Sequence, residues 1–223
     1  CIRDSMSQGT SGDQMWMDYG APKREIGYDA YAKEIADEVL DVYRELTFQA
    51  SPGLRMAERK VSLAYRVPTA ERLDWARQVS AALGERLPQT QAEIYALEAV
   101  HLHDWQRTEV VVQALRIGEL GIATMPNEVY AITGLKVKAW SPLRPTFVME
   151  LANGGDGYIP PPEQHVLGGY TTWPARTAGL EIQARQQLLQ HGVADPEAAA
   201  ASLALDIELN AQGLGVWLDR DAS

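Results

Sequence analysis

The sequence predicts an α/β fold, a mixed β-sheet flanked by helices, and three observations carry that prediction. Residues 26–48 place Tyr28, Tyr31, Ile35, Val39, Val42 and Leu46 at three- and four-residue steps, the spacing of one helix face. Residues 54–66 alternate instead, with Val61, Leu63 and Tyr65 on one side and Lys60, Ser62 and Ala64 on the other. That is the period of a half-buried strand. Two closely spaced apolar runs then meet at Gly118-Glu119, which is hairpin chemistry. Helices and strands that alternate along a chain build α/β sheets. With 223 residues there is enough chain to bury a core, read here as a single domain over residues 1–223.

The elements follow in order. Residues 1–24 are rich in Gly, Ser, Asp and Met without sustained period, and read as loop. The helix over 26–48 ends at Ser51-Pro52-Gly53, and its apolar face is expected to meet the core. After the strand at 54–66, two helices are predicted over 69–84 and 89–104, the first closed by Gly84. The hairpin strands take 109–117 and 120–125. Met125-Pro126-Asn127-Glu128 leads into a helix to Trp140, and 146–151 is another strand. Residues 152–176 read as one long loop, and connections of that length are often functional. Helices over 177–191 and 196–211 close the chain.

Composition removes several classes of function. Apolar residues make up 46% and charged residues 22%, which is ordinary globular composition. No uncharged apolar stretch approaches the roughly 18 residues of a membrane span. Thirty acidic against twenty basic side chains give a net charge of −10, with the acidic excess at the two ends of the chain. No basic patch is available to neutralise phosphates, so nucleic acid is not the expected partner. The single cysteine, Cys1, has no internal disulfide partner.

Three places invite chemistry. At the strand-to-helix turn Met125-Pro126-Asn127-Glu128, the Glu128 carboxylate stands where side chains project into a sheet-edge crevice; complementing the helix dipole in the first turn is the alternative role. The 152–176 loop carries Asp156, Tyr158, His165, Tyr170 and Trp173 among glycines and prolines; covering a core edge is the alternative for its aromatics. Gln8-Gly9-Thr10-Ser11-Gly12-Asp13-Gln14 permits close backbone approach but lacks the Gly-Lys-Ser/Thr ending of a phosphate loop. His101 and His103 lie two apart on a predicted helix and point in different directions, so they do not chelate one ion. For His191, before Gly192, helix capping suffices.

Taken in order, Gly-Thr-Ser-Gly-Asp, the strand pair, Met-Pro-Asn-Glu before a helix, a strand ending Glu-Leu-Ala-Asn-Gly, and Gly-Tyr-Ile-Pro-Pro-Pro-Glu followed by Gly-Gly-Tyr resemble the C-terminal half of the catalytic domain of the neutral/alkaline, non-lysosomal ceramidase family. The likeness is stronger to the bacterial ceramidase-like proteins and spans about residues 8–190. It implies a zinc-dependent amidase, with this chain as the C-terminal part of a larger hydrolase domain. In that family one zinc is held by two histidines of the N-terminal half and by a glutamate and a tyrosine of the C-terminal half. The resemblance places the glutamate on Glu128, with Asn127 where the family has glycine, and the tyrosine on Tyr158. A further tyrosine near the reacting amide falls on Tyr170.

A zinc ion with an open coordination position lowers the pKa of bound water toward about 7 and polarises a carbonyl. Tyr170 is then suited to donate a hydrogen bond to the developing oxyanion. The family's Gly-Asp-Val-Ser-Pro-Asn segment reads Gly12-Asp13-Gln14-Met15-Trp16-Met17 here, so methionine stands in the serine's place. Asp13 is retained, as a contact to ligand or substrate or as a turn-stabilising side chain. The resemblance further implies an N-acyl small molecule or lipid as substrate, and a secreted or periplasmic compartment.

Two other readings stand beside this one. If Cys1 is a processed N-terminus, its α-amine and thiol form an N-terminal nucleophile, and the upstream segment of the same precursor stays bound as a partner chain. The other is a ceramidase-like fold kept as a non-catalytic binding module, which the missing serine favours. Oligomerisation is left open.

Overall fold

The computed structural model describes residues 5–15, 17–48 and 53–192. Cys1 and the helix predicted over 196–211 therefore lie outside the described residues. The chain divides into two compact units, Met15–Pro52 and a larger one made of Cys1–Gln14 with Gly53–Ser223.

The smaller unit holds α1 (Tyr28–Glu45), close to the helix predicted over 26–48. The expectation that its apolar stripe meets a core is not met, because no residue of α1 is buried. The unit contains no second helix or strand among its described residues to cover that face.

The larger unit is built on a mixed sheet, as the sequence predicts; it has four strands in the order β1-β2-β3-β5. Strands β1 (Leu54–Ala64) and β2 (Arg107–Ile117) pair antiparallel from Leu54↔Ile117 to Ala64↔Arg107. Strand β3 (Leu120–Thr124) returns beside β2 through Gly118-Glu119, with Ile117 opposite Leu120, so the hairpin falls where its turn residues put it. Strand β5 (Thr146–Met149) lies parallel to β3. Between them the chain passes through β4 (Glu128–Val129) and α4 (Ala131–Trp140).

Helices α2 (Ala70–Leu83) and α3 (Gln91–Trp105), which follow β1 and precede β2 along the chain, pack on each other. Gly84 ends α2 at φ 58°, and Thr90 with Glu93 forms a capping box at the start of α3. Alternate strand residues, Val61 and Leu63 on β1 and Val110 and Val112 on β2, join Leu102, Met125, Val129, Val137, Val148 and Ile159 in one core. A smaller cluster of Ala76, Ala96 and Ala99 sits between α2 and α3.

Two segments differ from the sequence reading. The 152–176 stretch is not a single loop: it contains β6 (Tyr158–Ile159), α5 (Pro162–Leu167) and a 3₁₀ turn (Tyr170–Thr172). The helix predicted over 177–191 starts late, as α6 (Ala184–Gly192). Residues 179–181 are drawn instead onto the end of β1. Arg66 N–H donates to Gly179 O at 2.7 Å, Glu181 N–H to Ala64 O at 2.9 Å, and Leu180 bridges Tyr65. Strand-edge groups seeking partners override a helical pattern here.

Candidate active site

The helix-dipole role considered for Glu128 is not what the structure gives it. Glu128 is a strand residue, and α4 begins three positions later at Ala131. Strand β4 pairs parallel with β6, and Glu128 stands in register with Tyr158. Side chains in register across a ladder share a face, so a carboxylate and a phenol from distant parts of the chain project together. Both are half-buried.

Tyr170, on the 3₁₀ turn, completes the group. Its hydroxyl lies 3.4 Å from that of Tyr158, and the two rings meet edge to face with centroids 5.5 Å apart. The Tyr158 phenol is held well above its ordinary pKa, first by its hydrogen bond with Tyr170, then by burial, then by the neighbouring Glu128 carboxylate. An unshared negative charge beside a phenol favours the neutral phenol. Tyr170 itself is exposed.

The turn before Glu128 is strongly constrained. Met125 and Asn127 are fully buried, and Asn127 adopts a φ of 66°, a left-handed conformation that asparagine tolerates better than most residues. Its N–H donates to Gly154 O at 3.1 Å, its carbonyl accepts from Leu151 N–H at 3.2 Å, and its Oδ1 accepts from Asp156 N–H at 3.0 Å. Glu128 N–H adds a bond to Gly157 O at 3.0 Å. The loop leading into β6 is thereby laced to the turn that carries Glu128. Asp156, fixed by Asn127, accepts from Thr108 Oγ1 at 3.0 Å and Tyr65 OH at 3.3 Å.

Residues 8–13 brace the same strand from the other side. Gly12 N–H donates to Val129 O at 2.9 Å, and a Cβ at Gly12 would stand 2.5 Å from Glu128 O. Only glycine permits that backbone approach. Glu150, 4% exposed, accepts Ser11 Oγ–H at 2.5 Å on one oxygen and Val129 N–H at 2.9 Å on the other. Asp13 Oδ1 accepts Ala131 N–H at 2.7 Å, at the first turn of α4. One residue back, Tyr130 shares a 2.6 Å hydrogen bond with Thr171, beside Tyr170.

Of the residues nominated from sequence, the structure gathers Glu128, Tyr158 and Tyr170 into one cluster and ties Asp13 to the helix that follows Glu128. Cys1 lies outside the described residues. His101 packs its ring on Trp105 within the same helix, and no group of three or more His, Cys, Asp or Glu able to hold a metal occurs among the described residues. The sequence reading included Ser11 in its third candidate segment and Glu150 in a strand-end motif, but assigned no role to either of them or to Tyr130. A lone acid closing the apolar run Thr146–Met149 is a signal that could have found Glu150.

No protein-family model matches the chain, and no curated protein matches it. Among solved structures, neutral ceramidase from Pseudomonas aeruginosa aligns with 91% of this chain and 37% of its own length, at a TM-score of 0.51 and 17% identity. A ceramidase solved in complex with C2 aligns with 56% of this chain and 22% of its own, at a TM-score of 0.39 and 20% identity. The chain thus spans little more than a third of the length of the neutral ceramidase it matches. The α/β fold found here, a mixed sheet of four strands with its helices, is similar to that of a fragment of neutral ceramidase.

Proposed function

We propose that this chain supplies one half of the active site of a zinc-dependent hydrolase that cleaves an N-acyl amide bond, in the manner of a ceramidase. The supporting observation is the register pair Glu128↔Tyr158 with the Tyr170 hydroxyl 3.4 Å from that of Tyr158. The ceramidase-like fold is consistent with it.

The residues fit a zinc ion. A carboxylate oxygen and a phenol oxygen converge from two paired strands, and the mutual repulsion of their charged forms is relieved by a divalent cation. They are two of the four donors such an ion takes. In this reading the imidazole donors come from the other half of the hydrolase domain. When bound, the ion supplies a Lewis acid for the amide carbonyl.

The chain's own residues have separate tasks. Glu128 and Tyr158 hold the cation. Tyr170, exposed on its turn, donates a hydrogen bond to the carbonyl oxygen as negative charge develops there. Asp13 and Glu150 fix the backbone that follows Glu128, at Ala131 and Val129 respectively. The substrate is an N-acyl compound, either a lipid or a smaller molecule than ceramide.

Zinc content and hydrolysis of N-acyl substrates, measured on the complete hydrolase, test the proposal. Glu128→Ala is expected to lose both metal and activity, whereas Tyr170→Phe keeps the metal and loses at least about 100-fold in kcat. Undiminished metal and full activity in Glu128→Ala would overturn the assignment.

A further inference from the structure

The larger unit also carries an open cavity of about 440 Å³ between the start of α2, α3 and the Trp173-Pro174 segment. That volume lies within the roughly 300–1,000 Å³ of small-molecule sites. Its walls are mostly apolar and aromatic, with Val67, Leu102, Tyr95 and Trp173 among them. Tyr95 and Trp173 meet edge to face at 5.8 Å, which sets the orientation of both rings.

Gln91 is the neutral polar side chain of the lining, and the charged contribution is cationic. Arg66 and Arg72 both line the cavity, and among the described residues no Asp or Glu does. Neither guanidinium has a carboxylate partner among the described residues. Arg66 donates to the carbonyls of Thr172, at 2.9 Å, and Ala178, while its Nε is buried with no acceptor among the described residues. Arg72 is seated over the Trp75 ring at 3.7 Å, which positions its charge without neutralising it. Glu98, one turn along α3 from Tyr95, is already engaged by Arg176 through both carboxylate oxygens. The uncompensated charge of Arg66 is also felt nearby: burial first, and then Arg66, hold the His165 pKa below its ordinary value.

We infer that this cavity is a binding site for an apolar carboxylate, its hydrocarbon body against Trp173, Tyr95 and Leu102 and its anionic head between Arg66 and Arg72. A guanidinium recognises the planar carboxylate by paired hydrogen bonds. A neutral ligand of the same shape gains the apolar contacts but leaves both charges unanswered. Glu128, Tyr158 and Tyr170 are not among its lining residues, and the inference stands or falls independently of the zinc-hydrolase reading.

Calorimetric titration of the chain in the presence of a metal chelator tests it, since the chelator removes any binding of carboxylate through zinc. Octanoate is expected to bind, and octanol at least about tenfold more weakly. Exposed Arg72→Gln is expected to lower octanoate affinity about tenfold while leaving octanol unchanged. N-octanoylglycine, run in parallel, tells a free fatty acid from an acylated amino acid as the source of the carboxylate; the tighter binder is the source. Equal binding of octanoate and octanol, binding of no carboxylate, or an unaltered octanoate affinity in Arg72→Gln would overturn the inference. Should Arg72→Gln fail to fold, the octanoate–octanol comparison on the unaltered chain decides.

Discussion

Gly12→Ala is the most direct probe of how the Glu128 strand is held. An added Cβ would stand 2.5 Å from Glu128 O, 2.8 Å from Glu128 C and 3.1 Å from Val129 C. All three are backbone atoms, so no side chain can swing aside, and the segment must retreat from β4. Forced overpacking of this kind costs about 1–3 kcal/mol. Weakening the 2.9 Å Gly12 N–H to Val129 O bond adds about 1 kcal/mol. Restricting the unfolded chain works the other way, by about 0.4–1 kcal/mol. The steric effect wins, for a net loss of about 2 kcal/mol. Urea unfolding reads it as a lower midpoint at unchanged slope. Gly155→Ala is the control, because its Cβ meets only Leu151 Cδ2 at an ordinary 3.8 Å; it should be neutral or slightly stabilising. If Gly12→Ala unfolds with the control, residues 8–13 do not brace β4 and the account of how Glu128 is placed is wrong.

Three more outcomes are expected. Arg176→Ala removes the guanidinium from the buried Glu98 carboxylate and leaves it the 2.7 Å bond from the N–H of residue 176; with Arg176 48% exposed, the loss falls below that of a fully buried pair, at about 1–3 kcal/mol, and a cycle with Glu98→Gln showing no coupling would refute it. Asn127→Ala pays for the 66° φ with about 1–2 kcal/mol and loses the acceptor for Asp156 N–H, whereas Asn127→Gly loses only the acceptor; thermal unfolding should rank them in that order, and the reverse order would count against the turn geometry. The Glu93 carboxyl is lowered to about 2, chiefly by Arg86 and then by Gln89 N–H. A depressed carboxylate contributes stability that is complete above its ordinary 4.5 and is lost as pH falls toward 2. Glu93→Gln should flatten that part of the acid limb, and an unchanged acid unfolding curve would contradict it.

Much of the scaffold was legible because its signals are local. The α1 periodicity, the alternation at Val61 and Leu63, the Gly84 cap and the Gly118-Glu119 hairpin each act over a few residues, and each element formed within a few positions of its predicted place. The site was harder to read. Strands β4 and β6 are two residues each, too short to show any period, and their pairing joins positions about thirty residues apart. Glu128 was nominated by its strand-to-helix turn and Tyr158 and Tyr170 by their long loop, but only the family resemblance put them in one site, since no spacing rule brings them together. The helix expected from 177 was lost to a tertiary contact: Gly179 packs so closely on Leu102 and Tyr65 that the chain joins the edge of β1 first. Glu150 was given no role because its partners, Ser11 and Val129, lie far away in sequence or on the backbone.

The residues that buttress Glu128 come from Gln8 to Asp13, yet the chain then leaves for the whole of Met15–Pro52 before rejoining the sheet at Gly53. Closing such an excursion depends only logarithmically on its length, about 0.6 kcal/mol for each doubling. Insertions or deletions there are therefore tolerable to the Glu128 cluster as long as the two anchor points survive. Among related sequences, this interval is where length and composition should drift most freely.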